Sequence, residues 1–399
     1  MTQERVLSVE PMVAPPSERL VADLASVPSP SIVYDLLNLA RSIKIIQEDV
    51  SGIGGAQLNL ALKACHTPGL LRELAARGLG ADVASTGELE LAVEAGFSEI
   101  TATGPAFTVD DVPLLEAHGV TLDANSLDQL RALWQSWPDH DFGVRVRVPL
   151  PPSIEDGATT FGAGSRFGVL PTDPEFHALV TRARGRLTRL HTHTGQMTPE
   201  HLVYKARYLL ALASHLPDVT CIDMGGGFYS LYASRSRAVA AMSQLDELLV
   251  QWRAETGRPM RLQFEPGGGI LGAHGYLVVE ALAVEHSHPE FEADIVTVDA
   301  SAWNYAPWHI PNVLHVDPHR REGAPRPTLI AGNTLYENDF FGTSLLVQRR
   351  TFDLPECRVG DRLLMSASGA YTMTNARRFN RLPVPSEFLH TGEGLRKLT

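Results

Sequence analysis

Residues 57–97 have the sequence QLNLALKACHTPGLLRELAARGLGADVASTGELELAVEAGF. Two short apolar runs, each typical of a buried strand, alternate here with two amphipathic runs typical of helices. Pro68 suits the first turn of one helix and Gly78 its end, while Ser85 and Glu88 form a capping box at the start of the other. The stretch therefore predicts two consecutive strand–helix units of a parallel sheet.

The same alternation continues beyond this stretch. Further strand-like segments are EITATG, VTLDA, FGVRVRV, LTRLHTH, TCIDMGG and RLQFEPG, and helical segments such as SLDQLRALWQ lie between several of them. So many units over about 240 residues favour a closed (β/α)8 barrel over an open sheet. After about residue 275, strands follow one another with only turns between them, which is typical of a mainly antiparallel β domain.

These patterns predict an α/β protein with three parts. Residues 1–30, rich in proline, serine and charge, form a loosely packed N-terminal arm. Residues 31–280 form the (β/α)8 TIM-like barrel. Residues 281–399 form the C-terminal β domain, to which the N-terminal segment contributes.

Composition narrows the class of protein. The chain has 399 residues, with 34 basic and 46 acidic side chains and a net charge of −12, which argues against a nucleic-acid or anionic-membrane partner. Cys65, Cys221 and Cys357 match no zinc or CxxC spacing and fit a reducing compartment. The N-terminus lacks the apolar core of a signal peptide, so we expect a cytoplasmic enzyme without a bound metal.

Lys63 is the first candidate for chemistry, because active sites of (β/α)8 barrels lie at the carboxyl ends of the strands. It ends the predicted strand QLNLALK, on the same face as Asn59 and Ala61. Burial lowers the pKa of a lysine, and its neutral amine can form an imine with an aldehyde. The alternative is a lysine whose ammonium group extends to solvent at the barrel rim.

Two glycine triplets also end predicted strands: Gly225, Gly226 and Gly227 in one, and Gly267, Gly268 and Gly269 in the other. Without side chains, such segments approach a phosphate closely, and their amides can donate hydrogen bonds to it. A tight turn between strand and helix is the alternative interpretation of each triplet.

Two histidines and a glutamate complete the strand ends. His191 and His193 share a face in LHTHTG, so one of them can lie flat against a planar cofactor ring. A metal would need a third ligand at suitable spacing, and a hydrogen-bonded core histidine is the remaining alternative. Glu265 ends RLQFE, where a buried carboxylate needs either a protonated pyridine nitrogen or a barrel arginine as its partner.

Together these strand ends resemble the pyridoxal 5'-phosphate (PLP) decarboxylases of fold type III, which have an alanine-racemase-like barrel and a β domain. This family includes the diaminopimelate, ornithine and biosynthetic arginine decarboxylases. The resemblance extends over roughly residues 30–390 and rests on ALKACHTPGLLRELAARGLGADVASTGELELAVEAGF, SRFGV, HTHTG, DMGGGF, FEPG and GAYTMTNARRFN. It implies PLP as cofactor, an amino-acid substrate and a homodimer with shared active sites.

The resemblance also implies roles for individual residues. Lys63 is similar to the Schiff-base lysine, His193 to the histidine that stacks on the PLP ring, and Glu265 to the partner of the pyridine nitrogen. Tyr371 resembles a tyrosine that reaches the phosphate from the partner subunit. The remaining cofactor-binding candidates are Asp82, Gln196, Gly225, Gly226, Gly227, Gly267 and Gly268. Glu88 and Arg166 match positions near the cofactor or the dimer contact, and either Arg145 or Arg147 matches a barrel arginine.

Four positions depart from the family pattern. Gly268 stands where an arginine usually follows EPG, and Gln196 where a serine usually follows HxHxG; both arginine and serine would favour cofactor binding. Leu335, in GNTLYEND, replaces a cysteine that helps to protonate the product. Ala306, before Pro307, replaces the arginine that holds the distal carboxylate of diaminopimelate, which argues against that substrate.

We therefore expect PLP-dependent decarboxylation of an amino acid or a derivative in a specialised biosynthetic pathway, such as a siderophore, antibiotic or polyamine-like pathway. Alternatives are a PLP-dependent racemase, a decarboxylation-coupled transaminase or a non-catalytic PLP-binding protein. Because Leu335 cannot donate a proton, Tyr336, His309, Lys63 or water must do so, and Tyr336 is the expected catalytic residue.

The expected substrate contacts are Arg166, His309, Glu337 and Asp339. The two acids lie in the YEND segment, where an acid of this family holds a distal amine, so a basic substrate is plausible. The alternative is that both acids are solvated or pair with Arg349 or Arg350.

Overall fold

A computed structural model describes residues 16–154, 161–306, 309–343 and 349–398. Residues 1–15 of the expected N-terminal arm and Pro307 lie outside the described residues. The chain forms two compact units. The described residues of the first unit lie within 42–63 and 71–269, and those of the second within 16–41, 64–70 and 270–398.

The described chain begins with a short helix and a strand. Helix α1 (Glu18–Leu24) starts at Ser17, whose Oγ accepts a hydrogen bond from the Leu20 amide at 3.1 Å. Strand β1 (Ser31–Asp35) follows and is buried along its whole length. Leu20 and Leu24 are fully buried in the core of the second unit, so this part of the expected arm is packed, because its apolar side chains share one helix face.

The first unit contains a closed barrel of eight parallel strands. These strands are β2 (Ala56–Ala61), β3 (Gly80–Val83), β4 (Ile100–Thr103), β5 (Leu122–Ala124), β6 (Phe142–Arg145), β7 (Leu187–Gln196), β8 (Cys221–Gly227) and β9 (Arg261–Glu265). The barrel closes where β2 pairs with β9. The predicted (β/α)8 architecture is therefore confirmed.

Helices lie between the strands in the chain. They are α2 (Leu36–Ser51), α3 (Pro68–Ala75), α4 (Thr86–Ala95), α5 (Val112–Ala117), α6 (Leu127–Ser136), α7 (Pro174–Arg182), α8 (Pro199–Ser214) and α9 (Arg235–Thr256). The predicted cap of α4 is present, since Ser85 Oγ accepts from the Glu88 amide at 3.2 Å. The Glu88 carboxylate accepts from the Ala84 amide at 2.8 Å, one residue earlier than a standard capping box.

The second unit contains a mixed sheet. After the short helix α10 (Gly268–Leu271), its strands are β10 (Gly275–His288), β11 (Ala293–Val298), β12 (Val313–His315), β13 (Arg326–Ala331), β14 (Phe352–Leu354), β15 (Arg362–Met365), β16 (Ser386–His390) and β17 (Leu395–Lys397). The order is β14-β13-β11-β10-β1-β16-β17, and β15 pairs with β10 and β12. Among the described strand pairs of this sheet, only β1–β16 and β11–β13 are parallel, which confirms a mainly antiparallel domain.

Strand β1 belongs to this mixed sheet. It pairs with β10 and β16, whereas the sequence pattern places residues 31–35 in the barrel. The barrel has no free edge for another strand, because its eight strands already close on themselves. No helix among the described residues is long and apolar enough to cross a membrane.

Candidate active site

Lys63 lies just beyond the end of a barrel strand. The sequence pattern extends the strand through Lys63, but β2 ends at Ala61 and Lys63 lies in the 3-10 turn Leu62–Ala64. Its side chain is half-buried. Its positive charge acts on Asp82, His193 and Glu265, which places the ammonium group among the strand ends of the barrel.

Glu265 ends β9 and is 2% exposed. Its Oε2 lies 3.1 Å from His191 Nε2, which is also buried. Burial opposes ionisation of this carboxyl group, but His191, the neighbouring Asp223 and the charge of Lys63 together hold its pKa well below the usual value. Glu265 is therefore the ionised carboxylate at this end of the barrel.

Two neighbouring carboxyl groups behave in the opposite way. Burial, followed by the negative charge of Glu265, raises the pKa of both Asp82 on β3 and Asp223 on β8 well above the usual value. Thr101 Oγ1 lies 3.2 Å from Asp82 Oδ1 and 3.5 Å from Glu265 Oε1. Because like charges this close disfavour simultaneous ionisation, the cluster favours one carboxylate and two protonated acids.

His193 is neutral in this environment. Burial lowers its pKa well below the usual value, and the charges of Lys63 and Arg145 lower the pKa further. Its Nδ1 accepts a hydrogen bond from the Gly195 amide at 3.2 Å, so the proton of the neutral ring lies on Nε2. A neutral imidazole with a fixed tautomer can stack on a flat ring without adding charge.

The sequence did not distinguish Arg145 from Arg147 as the barrel arginine, and the structure shows different contacts for the two. Arg145 ends β6, and its Nη2 donates to the His193 carbonyl at 3.2 Å. Burial lowers its pKa to about 10, against the favourable charges of Glu265 and Asp82. Arg147 instead donates from Nε to the carbonyls of Phe167 and Gly168 at 3.3 and 3.0 Å. Arg145 is therefore the arginine that faces the charged cluster.

The glycine loop of residues 225–227 packs so closely against its neighbours that side chains on it would clash with them. A Cβ atom at Gly225 would lie 3.0 Å from Glu265 Oε2 and from His193 Cδ2. A Cβ atom at Gly227 would overlap the side-chain amide of Gln196, and Gly226 has a φ of +145°. Among the described residues, Gln196 Oε1 is buried and has no hydrogen-bond partner. The loop therefore presents bare backbone beside the charged cluster.

Gly267 and Gly268 follow Glu265 and are buried. At the next position, Gly269, a Cβ atom would lie 2.6 Å from Phe228 Cβ, so the segment packs closely against the residue that follows the glycine loop. Arg166 is exposed; its guanidinium lies 3.8 Å from the Phe167 ring centroid, and its charge lowers the pKa of Arg145.

The second unit contains the other candidates. Tyr371 has a φ of +62°, and its amide donates to the Ala64 carbonyl at 2.8 Å. The Tyr371 and His309 rings approach edge to face, with 6.5 Å between centroids. His309 Nδ1 lies 3.0 Å from the Ala367 carbonyl, and burial lowers its pKa. The two residues therefore lie close together.

Tyr336 belongs to an exposed aromatic cluster. Its ring stacks on Trp303 with 4.9 Å between centroids, and the Phe379 ring contacts Trp303 edge to face with 4.8 Å between centroids. Leu335 is 92% exposed, Tyr336 43% and Phe379 42%. Arg377 lies 5.4 Å from the Trp303 centroid.

Asp339 and Glu337 occupy different environments. Asp339 is 4% exposed and accepts hydrogen bonds from Ser301 Oγ at 3.1 Å and from Thr334 Oγ1 at 2.6 Å, as well as from two backbone amides. The Glu337 side chain is 89% exposed and lies 3.7 Å from Arg349, which corresponds to the ion-pair alternative. The geometry of Asp339 is thus that of a residue that holds its own segment together.

The sequence analysis did not single out several charged residues that the structure shows to be buried. Arg189 on β7 donates from Nε to both carboxylate oxygens of Asp123 on β5, at 2.8 and 3.0 Å. Lys205 on α8 is fully buried. Their burial could have been predicted from two sequence features. Charged residues stand within the apolar segments VTLDA and LTRLH, and a lysine shares a helix face with Leu202 and Leu209.

Comparison with known proteins identifies the family. Residues 39–272 match the family model of the pyridoxal-dependent decarboxylases, pyridoxal binding domain. The chain belongs to this family. The expected PLP-dependent amino-acid decarboxylase is thereby confirmed, with PLP as its cofactor.

Relatives match along the whole chain. The diaminopimelate decarboxylase of Escherichia coli strain K12 is 27% identical over 397 residues, covering 94% of this enzyme and 91% of the relative. The diaminopimelate decarboxylase of Methanothermobacter thermautotrophicus is 26% identical over 384 residues, covering 90% and 86%.

Solved structures share the fold. A crystal structure of diaminopimelate decarboxylase has a TM-score of 0.80 at 22% identity and covers 96% of the enzyme and 93% of that chain. Lysine/ornithine decarboxylase from Vibrio vulnificus, complexed with putrescine, has a TM-score of 0.72 at 19% identity. The match covers 94% of the enzyme and 99% of that chain. At these identities the likeness shows the barrel and β domain alone.

The residues at the strand ends fit the cofactor. The backbone of Gly225, Gly226 and Gly227 has no Cβ atoms to cover it, which suits a phosphate bound by backbone amides. The ionised Glu265 suits a protonated pyridine nitrogen, and the neutral His193 suits a stacked ring. Lys63 supplies an amine beside both residues.

Proposed function

We propose that the enzyme removes the α-carboxylate of a specialised biosynthetic amino acid, with Lys63, His193 and Glu265 at the cofactor and Tyr336 as the proton donor. The observation that carries this proposal is the buried carboxyl group of Glu265, whose Oε2 lies 3.1 Å from His191 Nε2 and whose pKa is lowered by His191 and Lys63. This arrangement supports a carboxylate that acts on a cationic ring.

Each of these residues has a distinct task in the proposed reaction. Bound PLP supplies an electron-accepting ring for the electron pair that remains when carbon dioxide leaves. Glu265 holds a proton at the pyridine nitrogen, and His193 orients the ring by stacking. The ε-amine of Lys63 would hold PLP at its aldehyde carbon, which is also the position that a substrate amine would occupy.

The amides of the glycine loop bind the phosphate in this proposal. Gly225, Gly226 and Gly227 provide them, with Gly267 and Gly268 on the neighbouring segment. Asp82 and Gln196 complete the cofactor contacts. The buried Oε1 of Gln196, which has no partner among the described residues, supports an adjacent polar group.

The proposed substrate differs from diaminopimelate. Ala306 is fully buried, and its methyl group offers no charge to a distal carboxylate, at the position where the resemblance implies an arginine. We propose a substrate of siderophore, antibiotic or polyamine-like biosynthesis, contacted by Arg166, His309 and Glu337. The hydrogen bonds of Asp339 favour a structural role over a substrate contact.

We also propose a homodimer with shared sites. Leu335, Tyr336 and Phe379 form an exposed apolar surface in the second unit, which supports burial against a second copy of the chain. Tyr371 would reach the phosphate of the partner's cofactor. Mixing inactive Lys63→Ala and Tyr371→Phe subunits then restores up to about a quarter of native activity, because half of the dimers have one intact site. Verified hybrids without activity would contradict shared sites.

The function is tested by carbon dioxide release. Purified enzyme with added PLP is screened against amino acids and derivatives, including diaminopimelate, with Lys63→Ala as the inactive variant and the exposed Lys44→Ala as its control. We expect release from a specialised substrate, about 100-fold slower release from diaminopimelate, and none from Lys63→Ala. Efficient turnover of diaminopimelate would contradict the proposed substrate class.

A further inference from the structure

Lys205 is a buried cation that the proposed reaction does not use. It lies on α8 and is fully buried, on the same helix face as Leu202 and Leu209. Its Nζ donates to the Gly225 carbonyl at 2.9 Å and lies 3.4 Å from Met197 Sδ. Removing an ammonium group from water is costly, so a compensating interaction is expected near it.

The hydrogen bond from Lys205 fixes the orientation of the glycine loop. A trans peptide directs its C=O and N–H groups to opposite sides. Because Lys205 holds the Gly225 carbonyl, the Gly226 amide points away from the lysine. A Cβ atom at Gly226 would lie 3.7 Å from Lys205 Nζ, so the lysine lies directly against the loop.

The charge of Lys205 is finely balanced. Burial and, to a smaller extent, the charge of Arg145 lower the pKa of Lys205, whereas Asp223 and Glu265 raise it, and the net result is a pKa of about 7. The charged and titratable groups that face it come from four neighbouring strands: Arg145 on β6, His193 on β7, Asp223 on β8 and Glu265 on β9. An additional anion near the loop would therefore favour the charged ammonium.

We propose that Lys205 is a positioning residue for the cofactor phosphate: its ammonium orients the glycine loop through the Gly225 carbonyl and supplies positive charge behind it. This inference rests on the proposed function, in which the loop binds the phosphate. Gly268 contributes no side-chain charge on the neighbouring segment, so a cation behind the loop complements the phosphate where the loop itself offers only amides.

Equilibrium binding to the apo-enzyme tests the role. We compare Lys205→Met with the exposed control Lys44→Met and measure dissociation constants for PLP and for pyridoxal, which lacks the phosphate. We expect Lys205→Met to weaken PLP binding by about tenfold, and pyridoxal binding by less than about twofold. Equal effects on both ligands, or none on PLP, would overturn the proposal.

The native enzyme provides a second test that does not depend on folding of the variant. The PLP-to-pyridoxal affinity ratio cancels effects on Lys63, which both ligands share. Protonated Lys205 favours the phosphate dianion, so the ratio falls as pH rises through and above about 7 and the charge is lost. If Lys205 had only a structural role, the PLP-to-pyridoxal affinity ratio would not change with pH. A ratio that does not change with pH would therefore overturn the proposal.

Failure of the inference and failure of the proposed function give different results. If the native enzyme binds neither ligand, the proposed cofactor site itself is wrong. If it binds PLP through Lys63, but the ratio depends neither on pH nor on Lys205, only the role of Lys205 is wrong.

Discussion

At the scale of single residues, the site depends on one carboxylate that remains ionised among buried neighbours. Burial raises the pKa of Asp223 and Asp82, whereas Glu265 has His191 at 3.1 Å and Lys63 nearby to offset its desolvation. Because Asp82 and Asp223 favour their neutral, protonated forms, a single negative charge remains in this buried cluster.

Replacing the negative charge of Glu265 tests its effect on kcat separately from its effect on PLP binding. Glu265→Gln keeps the shape but removes the negative charge at the ring nitrogen, so we expect kcat to fall by about 100-fold or more while PLP remains bound. Steady-state kinetics and cofactor absorbance measure the two effects. The exposed Glu94→Gln on α4 serves as the control. An unchanged kcat in Glu265→Gln would contradict the assigned role.

Tyr336 is tested through the products. If its hydroxyl returns the proton to the α carbon, native enzyme makes only amine, and Tyr336→Phe makes amine at least about tenfold more slowly. Without an efficient donor, part of the turnover ends in a carbonyl product and pyridoxamine phosphate, and Leu335→Cys lowers that fraction. Amine and carbonyl products are quantified together. A fully active Tyr336→Phe enzyme that makes only amine would point to Lys63, His309 or water.

At the scale of secondary-structure elements, a buried ion pair connects two strands across a third. Arg189 on β7 and Asp123 on β5 pair over β6, where Gly143 lies between them. A Cβ atom at Gly143 would overlap the Asp123 carboxylate and lie 3.1 Å from Arg189 Cβ. The glycine therefore makes the room in which this pair forms inside the barrel.

Breaking the pair leaves an uncompensated buried charge. We expect Asp123→Asn to lower the free energy of unfolding by about 3–5 kcal/mol. Asp128→Asn breaks a pair with Arg131 in which the Asp128 side chain is 90% exposed, so we expect it to change stability far less than Asp123→Asn does. Denaturant unfolding of both variants measures the difference. Equal stabilities would show that the buried pair contributes little.

At the scale of the whole molecule, patterns of local origin were predictable from the sequence. Strand–helix alternation and the cap at Ser85 depend on neighbouring residues, and both are present. The sheet that β1 joins was not predictable, because the same apolar strand suits a barrel or a mixed sheet and the choice depends on distant partners. The two-residue error at Lys63 arose because a 3-10 turn can continue an apolar strand without a breaking residue.

The candidate site likewise contains residues that were predictable from local sequence and residues that were not. Local sequence patterns were enough to name Lys63, His193 and Glu265 as candidates, and Glu265 does end its strand. The burial of Lys205 and the pairing of Asp123 with Arg189 depend on which faces meet in the barrel, so they required the structure. Asp339 was expected to face a substrate, but its hydrogen bonds hold its own segment, which sequence position alone does not reveal.

The most direct test of the account is the identity of the lysine that carries the cofactor. The chain has four lysines, Lys44, Lys63, Lys205 and Lys397, and burial lowers the pKa of Lys205 to about 7, so it is a competing amine. Holo-enzyme is reduced with borohydride, digested and analysed by mass spectrometry. We expect the reduced cofactor on the peptide that contains Lys63, and its presence on Lys205 or on no lysine would contradict the proposed role of Lys63.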